Sequence, residues 1–193
     1  MLKTNRTFNY PILPEIGERW SPRAMTGEEI SDEILFGLFE AARWAPSSSN
    51  NQPWRFIYTK KNTPEWETFF NLLVDFNKSW VKNAAVIVVI VSKNTFDKNG
   101  KLSRTHSFDT GAAWISMAIQ GSSQGLVVHG MEGFDYEKAK KNLGIPEDHT
   151  VEMMVAIGKK APKESLTDDL RQREEPSTRK PLQEIIMKGR FQE

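Results

Sequence analysis

The sequence contains no cysteine. Disulfides, thiolate metal sites and cysteine nucleophiles are therefore excluded. Its three histidines, His106, His129 and His149, stand far apart without ligand spacing, so no metal site is expected. Charge of one sign is lacking too. There are 26 basic and 25 acidic residues, for a net charge of +1, which gives no field to gather nucleic acid or an anionic membrane. Arg171, Arg173, Arg179 and Lys180 form a short basic patch, but Glu174 and Glu175 interrupt it, and no nucleic-acid partner is expected. No apolar run approaches bilayer length; the longest, residues 84–91, is strand-sized. The N-terminus has no apolar run of signal-peptide length. The expectation is a soluble, cytoplasmic protein with no membrane partner. A glycine-rich phosphate loop is also missing, so any phosphate must be held by side chains.

What is present suits one domain with a sizeable core in 193 residues. Residues 1–18 show no periodicity and read as an extended arm; residues 19–193 read as the domain. Arg19-Trp20-Ser21-Pro22-Arg23 places two guanidinium groups around a serine, a pattern open to a phosphate clamp or to a plain basic turn. Thr26 and Glu29 have capping-box spacing before the helical pattern Ile30, Ile34, Leu35, Leu38 and Phe39. That helix must end near Ala45, because Pro46 follows. Six consecutive polar residues, Ser47-Ser48-Ser49-Asn50-Asn51-Gln52, then lie between Pro46 and Pro53. A turn needs one or two such residues, so this loop is read as a grip for something polar and flat.

Residues 54–59 form the first strand pattern. Thr63-Pro64 starts a helical pattern through Trp66, Phe69, Phe70, Leu72 and Leu73, which Asp75-Phe76-Asn77-Lys78-Ser79-Trp80 breaks. Residues 84–91 are apolar on both faces and belong in mid-sheet. Residues 93–107 are polar, with an Asn99-Gly100 turn, and fit a substrate lid or an ordinary surface loop equally. Residues 108–123 make a long helix, apolar nearly all round, destined for the core or a subunit interface. Residues 125–129 and 153–157 are further strands, with a short helix at 135–143 between them. Residues 159–176 are highly charged and expected to be exposed. The class is one α+β or α/β domain, with parallel and antiparallel pairing mixed.

Four segments in order resemble the FMN-dependent nitroreductase family. Arg19-Trp20-Ser21-Pro22-Arg23 is similar to the family's N-terminal Arg-x-Ser-x-Arg/Lys element. Pro46-Ser47-Ser48-Ser49-Asn50-Asn51-Gln52-Pro53-Trp54 resembles its Pro-Ser-x-x-Asn-x-Gln-Pro-Trp motif, the most specific of the four. Asn77 with Trp80, before the buried strand, resembles its Asn-x-x-Trp step. Gly125-Leu126, followed by Gly133-Phe134-Asp135, is similar to its Gly-Leu…Gly-Phe-Asp segment. Arg179-Lys180-Pro181-Leu182 resembles the C-terminal phosphate contact. The resemblance spans about residues 19–185.

The resemblance implies an α+β fold, a mixed sheet flanked by helices, in an intertwined homodimer with FMN at its interface. Arg19, Ser21 and Arg179 would hold the phosphate, with Trp20 alongside. Arg23 would face the N1/O2 edge of the isoalloxazine and stabilise charge on the reduced ring. Asn77 would bond the pyrimidine end. Glu132 and Gly133 would lie near N5. Pro46, Ser47, Ser48 and Asn50 would reach the cofactor from the partner subunit. The implied activity is ping-pong hydride transfer from NADH or NADPH, through flavin N5, to a nitroaromatic, quinone or flavin. Alternatives are a specialised relative, such as a reductive dehalogenase or an oxygen-using dehydrogenating enzyme, or a non-catalytic flavin-binding protein. Trp80 stands where some members carry a second basic residue, which leaves the tuning of the ring to Arg23. The short 93–107 segment argues for an open site and a permissive acceptor.

Overall fold

A computed structural model describes residues 6–191; the first five residues of the expected arm lie outside the described part. The strands are β1 (Trp54–Lys60), β2 (Val86–Lys93), β3 (Leu126–Met131) and β4 (His149–Lys159). They form one sheet in the order β1-β2-β4-β3. The apolar run of β2 is in mid-sheet, as its composition requires. Ile87, Val89 and Val91 enter one apolar cluster, and Val86, Val88 and Ile90 enter another on the opposite face. This is the two-residue alternation of a strand covered on both sides. The helices are α1 (Pro14–Glu18), α2 (Asp32–Arg43), α3 (Trp66–Phe70), α4 (Asp75–Val81), α5 (His106–Ser123), α6 (Tyr136–Asn142) and α7 (Asp168–Arg171). Trp66, Trp80, Ala139 and Leu170, from α3, α4, α6 and α7, cover the first face. Leu35 and Leu38 of α2, with Ala113 and Met117 of α5, cover the second.

The α+β class with flanking helices is as expected, but among the described residues the expected mixture of pairing directions is not found. All three strand pairings are antiparallel. Helix length gives the reason. Helices α3 and α4 separate β1 from β2 and have five and seven residues, about 8 and 10 Å at a helical rise of ~1.5 Å per residue. A seven-residue strand such as β1 runs about 23 Å at ~3.3 Å per residue. Neither helix can carry the chain back along a strand, so β2 returns antiparallel. Helix α6 is equally short between β3 and β4. The 18-residue α5 is long enough, and it joins β2 to β3. Those two strands run the same way, with β4 inserted between them.

Other local expectations are also corrected. The Thr26/Glu29 capping box does not start α2; Ser31 caps it, its Oγ accepting from the Ile34 N–H. Thr26 instead donates its N–H to Lys159 O at 3.0 Å, and Gly27 turns the chain away at φ +80°, a conformation closed to a helix. Residues 14–18 of the arm form α1 and are not extended. The break expected at 75–80 is α4, because Asn77, Trp80 and Val81 recur on one buried face. Helix α5 is enclosed by its own chain along one face only, through Thr110, Ala113, Met117 and Gly121. Phe108 remains 81% exposed.

Gly121 marks the closest approach of α5 to the sheet. A Cβ there would lie 2.3 Å from Val128 Cγ2. Gly121→Ala is expected to destabilise the chain by about 1–3 kcal/mol through overpacking; urea unfolding with an unchanged midpoint would contradict this packing.

Candidate functional site

The two ends of the domain meet at one cavity of about 260 Å³. Its lining includes Arg19, Trp20, Ser21 and Arg23 from the turn after α1, and Arg173, Ser177 and Arg179 from the segment after α7. The sequence expected Arg19, Ser21 and Arg179 at the phosphate, Arg23 at the ring edge and Trp20 among the cofactor residues, and the chain brings these five to one cavity. Arg6 and His129 also line the cavity. Neither was foreseen: Arg6 sits in the arm, and His129 was considered only as a metal ligand. Arg19 donates to Ser21 Oγ at 3.4 Å. Burial, followed by repulsion from Arg179 and Arg6, pushes the Arg19 guanidinium below the usual arginine value. Among the described residues, no carboxylate lies within 4 Å of Arg19 or Arg179. Cations gathered in this way could hold an anion by charge-assisted hydrogen bonds.

The turn carrying Arg19 and Arg23 is held from behind by a carboxylate. Glu174 accepts the main-chain N–H groups of Arg23 and Ala24 at 2.6 and 2.9 Å, and its other oxygen lies 3.7 Å from Arg23 Nη1. Glu174 is 5% exposed. Residues 159–176 are thus not uniformly exposed, as had been expected: Ala161, Leu166 and Leu170 pack in the core beside it. In the sequence Glu174 only interrupted a basic patch, so its role gave no signal. Arg23 Nε is buried with no hydrogen-bond partner among the described residues. His129 braces the same turn, its Nδ1–H donating to Pro22 O at 2.7 Å. Its ring packs 4.6 Å from that of Trp80. Burial pushes His129 down to about 4, with Arg23 and Arg19 adding to the effect, so it is neutral at pH 7.

Asn77, expected at the pyrimidine end of the ring, and Gly133, expected over the other end near N5, are in contact. Asn77 Nδ2 donates to Gly133 O at 2.9 Å, and the Val74 N–H reaches the same oxygen at 3.1 Å. A Cβ at Gly133 would lie 2.7 Å from Asn77 Nδ2 and 3.0 Å from Val74 Cγ2, so this close approach needs glycine. Glu132, beside it, is exposed.

The polar loop lies elsewhere in the chain. Ser49, Asn50 and Gln52 hold φ of 52°, 54° and 50°, a left-handed conformation that is costly for non-glycine residues. The surroundings fix it. Ser48 N–H donates to the buried Asp109 of α5 at 3.0 Å, and Gln52 N–H donates to Ser47 Oγ. The 93–107 segment is a hairpin, bridged at Thr95 and Leu102, and it buttresses this loop. Asn51 donates to Thr95 O and accepts from the Asp97 N–H. Asn50, Gln52, Arg55 and Lys98 line a separate cavity of about 460 Å³. Pro46, Ser47, Ser48 and Asn50 are therefore not brought to the arginine cavity by their own chain; none of them lines it.

An antiparallel sheet helix-covered on both faces, with a guanidinium-lined cavity where the chain's ends meet, defines an α+β protein. The nitroreductase family model matches residues 16–159, and the chain belongs to that family. A solved oxidoreductase containing FMN is 43% identical, with 98% of each chain covered and a TM-score of 0.94. A Desulfovibrio desulfuricans protein described provisionally as a nitroreductase, solved with FMN, is 25% identical. It is similar over 96% of this chain and 100% of that one, at a TM-score of 0.73. An Archaeoglobus fulgidus protein provisionally named NADH dehydrogenase/NAD(P)H nitroreductase is 28% identical over 158 residues, which are 76% of this chain and 83% of that protein. No helix among the described residues is long and apolar enough to cross a membrane.

Two outcomes test the bracing of the cavity. Glu174→Ala strands two buried N–H donors and a guanidinium, and is expected to cost about 3 kcal/mol in urea unfolding; Glu174→Gln, which keeps the acceptor, should cost clearly less. The second concerns His129. Its folded pKa of about 4 is below the usual 6.5, so its contribution is complete above pH 6.5 and is lost as pH falls toward 4. The loss is on the order of 3 kcal/mol. His129→Gln should flatten the stability profile across that window; an unchanged profile would contradict the assignment.

Proposed function

We propose that the chain is an FMN-dependent oxidoreductase that takes a hydride from NADH or NADPH and reduces a nitroaromatic, quinone or flavin. The observation that carries this reading is the gathering of Arg19, Ser21, Arg23 and Arg179 around one cavity in a member of this family. The donor set suits a phosphate ester, a dianion that takes several charge-assisted hydrogen bonds. The buried, unpartnered Arg23 Nε suits an acceptor edge placed deeper. Bound FMN would supply a two-electron carrier at N5, filled by the nicotinamide and emptied by the acceptor in turn.

The chain's own work is then binding, orientation and tuning. Arg19, Ser21 and Arg179 hold the phosphate, and Trp20 walls that end. Arg23 offers a fixed positive charge to the pyrimidine edge. Glu174 both orients that guanidinium and takes up part of its charge, so the chain tempers the only tuning cation foreseen from the sequence. Asn77 holds Gly133 and the adjoining Glu132 beside the other end of the ring. No acid–base pair is required, because the proton and hydride chemistry is carried by the cofactor. The 93–107 hairpin is tied to the loop it supports, which favours an open site and a permissive acceptor.

Pro46, Ser47, Ser48 and Asn50 complete the site from a second copy of the chain. Their absence from the arginine cavity of their own chain supports this. So does the apolar surface left uncovered: Phe108 is 81%, Trp44 75% and Leu102 75% exposed, more than a lone chain needs to show.

The purified protein is expected to be yellow and to bleach anaerobically on addition of NADH or NADPH. A protein that stays colourless after reconstitution with FMN would overturn the reading. Arg19→Ala combined with Arg179→Ala is expected to weaken FMN retention by at least about a hundredfold, at ~1.5–3 kcal/mol per charged hydrogen bond. Unchanged flavin occupancy after gel filtration would remove both residues from the phosphate site.

A further inference from the structure

Two cations of the cavity, Arg6 and Arg173, have no part in the reading above, and Arg6 is the one that also holds the turn carrying Arg19. Its Nη1 donates to Arg19 O at 2.8 Å and to Gly17 O at 3.2 Å. These bonds fold the arm over the end of α1 and hold the turn from which the Arg19 side chain departs. Arg6 also lines the same cavity as Arg19, Ser21 and Arg179. It is close enough to Arg179 for that charge, after burial, to push its guanidinium below the usual arginine value. Arg19 is affected by both neighbours in the same way. Five arginines line one volume, and three of them, Arg6, Arg19 and Arg179, come from three separate stretches of chain. Arg23 has Glu174 as a partner, and Glu175, the acidic residue of the lining, is taken by Lys163 at 2.7 Å.

A staple for the turn would need only a neutral donor, such as an amide, to reach the two carbonyls. A guanidinium confined beside two others costs repulsion that a staple alone does not require. The cost is offset when a dianion sits among the three. Riboflavin carries no such charge, and FMN does.

We infer that Arg6 belongs to the phosphate end of the cofactor site, and that the N-terminal arm thereby makes the cavity select a flavin phosphate monoester over the unphosphorylated flavin. This rests on the FMN reading above. The arm is thus a binding element, joining the turn after α1 and the C-terminal segment in one electrostatic unit.

The test uses the full chain with Arg6→Gln, Arg6→Ala and Arg6→Lys, and titrates each with FMN and with riboflavin by flavin fluorescence, at low and high salt. Arg6→Gln keeps a donor for Arg19 O and Gly17 O but removes the charge. It is expected to lose about tenfold in FMN affinity, the scale of one charge-assisted contact, with riboflavin affinity and apo-protein melting temperature unchanged. Its FMN affinity should also fall less steeply with salt than that of the unsubstituted chain. Arg6→Lys should keep most of the FMN affinity, and Arg6→Ala should match or exceed the loss in Arg6→Gln. FMN affinity in Arg6→Gln equal to the unsubstituted chain would reduce Arg6 to a staple and overturn the inference, leaving the function standing. Equal losses for FMN and riboflavin would overturn it as well. Failure of the unsubstituted chain to bind either flavin would remove the FMN reading itself, and this inference with it.

Discussion

The buried carboxylate of Glu174 is the link on which the site depends. One side chain accepts two main-chain N–H groups and an arginine from a segment about 150 residues earlier. Without it, the segment after α7 would lose its side-chain tie to the turn that carries Arg19, Ser21 and Arg23. With it, Arg179 is brought to the same cavity as Arg19. The guanidinium groups repel one another, and part of the cluster and of the turn beside it is firmly held. Arg6 is fixed by main-chain carbonyls, Arg23 by Glu174, and the Pro22 carbonyl by a neutral His129. A cavity preorganised in this way loses little on receiving an anion, because the ordering cost has been met in folding.

Much of this was legible in the sequence, for reasons that differ by residue. The mid-sheet strand could be read because eight consecutive apolar residues at 84–91 have few other places to go. Strand direction could not be read from alternation alone; it followed from the shortness of α3, α4 and α6, and their boundaries depend on packing. Residues 75–80 looked like a break because only Asn77, Trp80 and Val81 of α4 face inward, and one of them is polar. The Thr26/Glu29 spacing was a local signal that long-range pairing with Lys159 overrode. Site residues in contiguous motifs, such as Arg19 and Ser21, were visible. Arg6, His129 and Glu174 were not, because their roles arise from distant contacts and none stands in a spacing that local chemistry would explain.

The two halves of the expected site stand apart within one chain. The arginine cavity and the polar loop share no lining residue. The loop is nonetheless stiff, with three non-glycine residues in left-handed conformation, held by Asp109 and the 93–107 hairpin. Strain of this kind persists where the surroundings over-determine it, and a loop with no task would not need such support. Its cost makes sense if the loop presents a fixed surface to a cofactor belonging to another copy. The exposed Phe108 near the start of α5 provides apolar area for the contact that would bring that copy close.

Subunit complementation tests the central claim most directly, that one flavin is held by the arginine cavity of one copy and the polar loop of another. An Arg19→Ala chain and a chain with Ser47 and Ser48 both replaced by glycine would be purified separately, each poor in FMN retention. They would then be mixed under conditions that exchange subunits. A mixed dimer carries one site with both defects and one with none, so flavin retention is predicted to return in the mixture at nearly the affinity of the unsubstituted chain. If loop and cavity of the same chain serve one flavin, every site in the mixture keeps one defect. Retention that stays at the level of the separate variants, with subunit exchange demonstrated, would contradict the account.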